Sequence, residues 1–215
     1  MEQQITLSNI PVKKLPKLFE EHEQDKILYA LQNPARIRQD DVGLWLKKRN
    51  ICIFILASCL GTRAKELLCC RLEDLDLKNM LIDIRPESNK IGKGRTLPIP
   101  QRAWSYLYEY LTYSRTQYWK FSPYLFPTLQ NAQLSSDRWQ EIFKEAQILA
   151  GTYRHRRASH ALRHTALTKA YIKTKDPHVV KVIAGWKSLD MMSVYVHLAA
   201  NMQGYLEYQR EALTN

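Results

Sequence analysis

The sequence has no cysteine pattern that could hold a metal. Its four cysteines, Cys52, Cys59, Cys69 and Cys70, form no CxxC pair and have no histidine beside them, so four reduced thiols are expected. Long apolar runs are absent as well. The most apolar stretch, Ile51 to Leu60, is far short of the roughly 20 residues of a membrane span. It lies between Lys47-Lys48-Arg49 and Arg63 and reads as a core helix. The opening residues MEQQITLSNI lack the basic start and apolar stretch of a secretory leader, so a cytoplasmic protein is expected. No G-x-x-x-x-G-K-[ST] loop is there to cradle a nucleotide. No carboxylate cluster of the two-metal type is present, and no internal repeat or low-complexity linker.

What the chain has in surplus is positive charge. Its 215 residues are 45% hydrophobic, enough for a sizeable core, and 25% charged. Lys and Arg total 32 against 21 Asp and Glu, a formal +11. That balance points to a polyanionic partner, because each phosphate met by Lys or Arg releases condensed counterions. Nucleic acid is the leading reading and an anionic membrane surface the second.

Periodicity sets the fold class. Residues 1–22 have little pattern and include Pro11 and Pro16; they read as an arm. A short helix is expected over Gln24 to Leu31 and a longer one from Asp40 to Leu60, ended by Gly61. Arg63 to Leu72 reads as another helix. Alternation then predicts strands at Met80 to Arg85 and Arg95 to Ile99, a β-hairpin with a lysine-rich tip. Further helices are expected after Pro100, from Ser136 to Ala150, from His160 to Lys173, and from Asp176-Pro177 to Gly185. Ser188 is expected to cap a helix carrying Tyr195, followed by an amphipathic tail from Asn201 to Leu213. The class is mainly α with a small antiparallel β-sheet, α+β.

Four separated segments carry residues suited to holding a phosphate. In Gly61-Thr62-Arg63-Ala64-Lys65-Glu66-Leu67, Arg63 stands at a helix start, where free N–H groups and the dipole favour an anion. Read alone, it is also a surface residue paired with Glu66 at i+3. In Asn89-Lys90-Ile91-Gly92-Lys93-Gly94-Arg95, Lys90 is a mobile point charge on a hairpin tip. In Ser159-His160-Ala161-Leu162-Arg163-His164, His160 and Arg163 share one helix face at i and i+3, and Arg can clamp a phosphate with two N–H bonds. The fourth segment runs from Gly185-Trp186-Lys187 to Tyr195.

In order and spacing these segments resemble the tyrosine recombinase, or phage integrase, family. Its pattern is an Arg in G-x-R-x-x-E-L, a Lys on a β-hairpin, H-x-x-R, a Gly-His or Gly-Trp, and a Tyr nine residues after that aromatic. Here these are Arg63, Lys90, His160 with Arg163, Gly185-Trp186, and Tyr195. The likeness spans roughly Asp40 to His197.

The resemblance implies a site-specific DNA recombinase with the family's catalytic-domain fold. The alternatives are a non-cleaving DNA-binding regulator built on the integrase fold and a type IB topoisomerase. It implies that Tyr195 attacks the scissile phosphate and leaves a 3′-phosphotyrosine, with His160 as proton acceptor or orienter. Arg63 and Arg163 would neutralise the non-bridging oxygens, Trp186 would donate its indole N–H, and Lys90 would protonate the leaving 5′-oxygen. It implies no metal or cofactor, double-stranded DNA as partner, and a homotetramer on DNA, with an accessory DNA-binding protein as a further possible partner. Lys93, Arg95, His164 and Lys187 are expected to touch DNA. Two departures stand out: Trp186 occupies a place where His is commoner, and only about forty residues precede the core. That length is similar to the small fimbrial phase-variation recombinases. The expected division is an arm over 1–22, a catalytic domain over 23–197, and a helical tail over 198–215 exchanged between protomers.

Overall fold

The apolar run at 51–60 forms the spine of the structure. In α2 (Asp41–Leu60) residues Ile51 to Ala57 are buried without a break. A helix apolar on every side must sit among other elements. The three that pack against it most are α1 (Glu21–Gln32), α4 (Gln101–Gln117) and α6 (His160–Thr174). The computed structural model describes residues 16–36, 38–88, 92–117, 122–155 and 157–214. Among these also lie α3 (Ala64–Leu68), α5 (Ser136–Leu149), α7 (Pro177–Ala184), α8 (Met192–Thr214) and a three-stranded sheet. No described helix is long and apolar enough to cross a membrane.

Local chemistry punctuates the chain where the sequence signals it. Asp40 caps α2 by accepting the Gly43 N–H at 2.9 Å. Gly61 ends it at φ +62, and a Cβ there would come within 2.9 Å of the Leu167 side chain. Glycine is therefore required by backbone and neighbour alike. Asp176 caps α7 by accepting the His178 N–H at 2.7 Å, with Pro177 at N1. Gly185 ends α7 at φ +67.

The sheet is antiparallel in the order β1 (Leu75–Asp76), β2 (Leu81–Ile84), β3 (Arg95–Pro98). Ile82 faces Leu97 and Ile84 faces Arg95 across the β2–β3 pair. Ile82, Ile84 and Leu97 turn into the core, while Asp83 and Thr96 face out. The expected hairpin is present, and its tip at 89–91, with Lys90, lies outside the described residues.

Several expectations shift. The helix expected over Arg63 to Leu72 ends at Leu68. The chain then turns: Asp74 accepts the Arg71 N–H at 2.7 Å, and Leu72 N–H donates to the Pro123 carbonyl at 3.0 Å. These tertiary bonds lead the chain into β1, a strand too short to leave an alternating pattern. Ser188 does not cap the last helix. Its hydroxyl donates to Asp190 at 2.6 Å, and α8 starts at Met192. The tail is no separate helix, since Leu198-Ala199-Ala200 carries α8 through without a breaker.

The arm expected over 1–22 also gives way to packing before its end, at least from Phe19 onward. Phe19 is fully buried, its ring edge-on to Phe143 at 5.7 Å and 4.2 Å from the Arg157 guanidinium. Its N–H donates to Thr165 Oγ1 at 2.9 Å, which ties this segment to α6. Phe19→Ala should therefore cost about 3–5 kcal/mol of unfolding free energy, measured by urea denaturation; a loss below ~1 kcal/mol would show that the segment is not anchored.

Candidate active site

Glu66 lies at the centre of the basic residues and has no exposed surface. It is on the first turn of α3, where its carboxylate accepts the Arg63 backbone N–H at 2.8 Å and closes the helix start. The same carboxylate meets three guanidinium groups: Arg63 at 2.9 Å, Arg95 at 2.9 and 3.3 Å, and Arg163 at 3.7 Å. A buried carboxylate is costly unless it is paired and hydrogen-bonded. Burial works to raise the pKa of Glu66, but the Arg95 hydrogen bonds, the Arg63 N–H and the nearby positive charges outweigh it, and the net shift is downward.

Each arginine comes from a different element. Arg63 is at the start of α3, with a third of its side chain open to solvent. Arg163 is on the first turn of α6 and is buried. Its Nη1 donates to the Gly61 carbonyl and its Nη2 to the Ala184 carbonyl, both at 2.9 Å. Those carbonyls end α2 and α7, so the guanidinium sits at the negative ends of two helices. Burial, and then the charge of Arg63, lowers the Arg163 pKa to about 10, which leaves it charged at neutral pH. Arg95 opens β3; its Nε donates to the Ile183 carbonyl at 2.8 Å.

This last finding corrects an expectation. Arg95 was expected to touch DNA, yet its side chain turns inward and all three guanidinium nitrogens are engaged. It supports the site from beneath. A signal for this was present in the sequence: Arg95 shares strand parity with Leu97 and Ile99, the inward set. Gly185 makes room for it, since a Cβ there would lie 2.8 Å from Arg95 Nη1.

His160 opens α6 and is exposed at the mouth of the site. Gln140 accepts the preceding Ser159 N–H at 3.1 Å and fixes the helix start. Burial of its ring, then the charges of Arg163 and Arg63, lowers the His160 pKa, so the imidazole is neutral at pH 7. Its ring meets His164 edge-on, centroids 4.7 Å apart.

Tyr195 is buried on the first turn of α8. Trp186 packs on its ring at 5.1 Å between centroids. Burial pushes the phenol up to about 12, against the opposing pull of Arg163 and Arg63. Its hydroxyl lies 2.8 Å from Nδ1 of His164. His164 is thus a partner of Tyr195, a contact absent from its expected role at DNA; its i+4 spacing from His160 already placed the two on one face. Burial first, then His160 and Arg163, pushes His164 down to about 4. It is neutral, and in the tautomer with its proton on Nε2 its Nδ1 can accept the Tyr195 O–H. Lys93 and Lys187 are exposed.

The structure therefore gathers Arg63, His160, Arg163, Trp186 and Tyr195 at one place and adds Glu66, Arg95 and His164. Three guanidinium groups against one carboxylate leave a local surplus of two positive charges beside a phenol.

Residues 17–202 match the Phage integrase family. The chain belongs to that family. It is 26% identical over 204 residues to tyrosine recombinase XerD of Proteus mirabilis, covering 92% of this chain and 60% of that protein. It is 29% identical over 159 residues to tyrosine recombinase XerS of Streptococcus pneumoniae, covering 73% of this chain and 44% of that one. The chain thus spans about 60% of the length of that XerD relative. Among solved structures, XerA recombinase superposes with a TM-score of 0.72 at 21% identity, covering 93% of this chain and 68% of that one. XerH, in a post-cleavage complex with a palindromic difH substrate, gives 0.73 at 24% identity, covering 96% and 58%. These two likenesses show that the chain has the fold of the family's solved members.

The lowered pKa of Glu66 carries a stability consequence. Its contribution is fully present above the ordinary value of 4.5 and is lost as pH falls through the lower folded value. Glu66→Gln should flatten the acid limb of unfolding free energy between about pH 3 and 5. At pH 7 it should also cost about 3 kcal/mol, because three arginines lose their buried partner. Urea denaturation across that pH range measures both; an unchanged acid limb would remove Glu66 from its central place.

Proposed function

We propose that the protein is a site-specific DNA recombinase that cuts and rejoins DNA through a covalent bond between Tyr195 and a 3′-phosphate. The observation that carries this reading is the surplus of positive charge around Glu66, next to a phenol that has no other catalytic use. A phosphodiester gains negative charge as it becomes pentavalent, and preorganised guanidinium groups oppose that charge at little reorganisation cost. Arg63, partly open to solvent, and Arg163, braced by two carbonyls, take the non-bridging oxygens. Trp186 donates its indole N–H, and neutral His160 at the mouth orients the phosphate. Lys90 protonates the leaving 5′-oxygen. The bond energy of the diester is kept in the phosphotyrosine and returned on rejoining, so the step needs neither metal nor nucleotide.

XerD and XerS carry the name tyrosine recombinase, and XerH is seen bound to its difH substrate. Those relatives support double-stranded DNA as the substrate. Lys93 and Lys187, both exposed, supply phosphate contacts and, with the formal +11, drive salt-sensitive binding. Two duplexes must be cut for exchange, so a homotetramer on DNA is the working assembly, with the end of α8 seated on a neighbouring protomer.

Suicide duplexes drawn from the DNA flanking the gene test this reading, because a nicked substrate traps the covalent intermediate. The wild-type protein should form a protein–DNA adduct and Tyr195→Phe none. An adduct that persists in the Phe variant would remove Tyr195 as nucleophile; no adduct with any duplex would favour a non-cleaving DNA-binding protein. Arg163→Ala should lower cleavage at saturating DNA by at least about 10²-fold and affinity only a few-fold. Equal losses would contradict a role confined to the transition state.

A further inference from the structure

Among the described residues the Tyr195 hydroxyl has a single hydrogen-bond partner, and it is not the histidine of the H-x-x-R pair. It is Nδ1 of His164, at 2.8 Å, with the two rings stacked 5.6 Å apart and 30° from parallel. His160 and Arg163 face His164 from its own helix, and Tyr195 faces it from α8. No described carboxylate pairs with it. A phenol must lose its proton to become a nucleophile, and the base that takes it must be within hydrogen-bond reach. His164 meets that geometric requirement in the protein as it stands.

We infer that His164 is the proton acceptor for Tyr195, competent only when a phosphodiester occupies the arginine site. The inference rests on the reading of Tyr195 as nucleophile and assigns the role that the H-x-x-R pattern alone gives to His160. In the step, the Tyr195 O–H bond breaks and its proton passes to Nδ1 of His164. The phenol oxygen forms a bond to phosphorus, the bond from phosphorus to the 5′-oxygen breaks, and Lys90 supplies the proton with which that oxygen leaves. Rejoining reverses each transfer and returns the proton to Tyr195.

Occupancy of the arginine site decides when this can happen. In the free protein burial and the charges of His160 and Arg163 hold His164 near 4, while the phenol stands near 12. Transfer between them is therefore uphill in the free protein. A phosphate seated on Arg163 offsets one of the charges that hold His164 down, and its negative charge stabilises the imidazolium as it forms, while bond formation to phosphorus spares the phenol oxygen from carrying a free negative charge. The same event that brings the target therefore raises the basicity of the acceptor. Without DNA the phenol stays protonated and buried.

His164→Asn tests this, because an amide oxygen can accept the hydrogen bond but cannot hold the proton. The probe is a suicide duplex from the flanking DNA on which the wild-type protein forms an adduct. Single-turnover cleavage at saturating duplex should fall by about 10²-fold or more, while affinity for that duplex stays within about threefold. The acid limb of the wild-type pH–rate profile should be missing from the variant. A duplex with bridging sulfur at the 5′ leaving position, which needs no protonation to depart, should restore cleavage to Lys90→Ala and not to His164→Asn. His164→Gln, checked with the same duplex, serves if the Asn variant does not fold.

Cleavage by either variant within about threefold of wild type, with the acid limb intact, would overturn the inference and return the role to His160. Parallel losses of affinity and rate would overturn it in favour of a DNA contact. Adduct formation that survives Tyr195→Phe would strike the underlying reading instead.

Discussion

A carboxylate with no exposed surface stays ionised only where cations surround it, and in this chain the whole site follows from that requirement. Glu66 draws one arginine from the start of α3, one from the first position of β3 and one from the first turn of α6. Desolvation alone would favour the neutral acid; its hydrogen bonds and the charges of the arginines prevail, and the pKa falls. The arginines in turn depend on Glu66, because guanidinium groups this close would repel one another without it. One negative charge thus assembles three positive ones and satisfies only part of their charge. The remainder stays uncompensated beside the buried phenol of Tyr195.

Tyr195 and its neighbours are held in a resting state by the same low-dielectric surroundings. Burial raises Tyr195 and lowers both histidines, so among the described residues Tyr195, His160 and His164 are neutral at pH 7. Neutral groups are the cheaper ones to keep out of water. They are also the protonation states that the chemistry starts from: a phenol with its proton and imidazoles without theirs. Stability and readiness therefore require the same thing, and no strain has to be stored to maintain it.

Much of this was legible in the sequence, and the parts that were not have identifiable reasons. The caps Asp40 and Asp176 and the terminators Gly61 and Gly185 marked helices α2 and α7, because capping is local chemistry. The hairpin was legible through the alternation of Ile82 and Ile84 with Asp83 and Arg85. The early end of α3 was not, because the Pro123 carbonyl that receives the Leu72 N–H lies far along the chain. At the site, helical spacing put His160 and Arg163 on one face, and the family resemblance brought out Arg63 and Tyr195. It assigned Arg95 and His164 to DNA because a basic residue near a motif is most simply read as exposed. Their inward direction depends on what lies beneath them: Glu66 and the Ile183 carbonyl for Arg95, the Tyr195 hydroxyl for His164.

Arg163 links the backbone to the chemistry most tightly. Its two hydrogen bonds end on the Gly61 and Ala184 carbonyls, one closing α2 and the other closing α7 just before Gly185. Both junctions use left-handed backbone, and both glycines pack where a Cβ would collide, Gly61 with Leu167 of α6 and Gly185 with Arg95 of β3. The positions of α2, α6, α7 and β3 are thereby coupled through contacts that leave little slack. A buried guanidinium cannot drift toward water to relieve a misfit, so a small displacement of either helix end is transmitted to the Arg163 nitrogens. This explains how residues more than a hundred positions apart in sequence can form one site on a sheet of three short strands. The rigid part is the buried helix spine, and the side chains of the candidate site are fixed by helix ends.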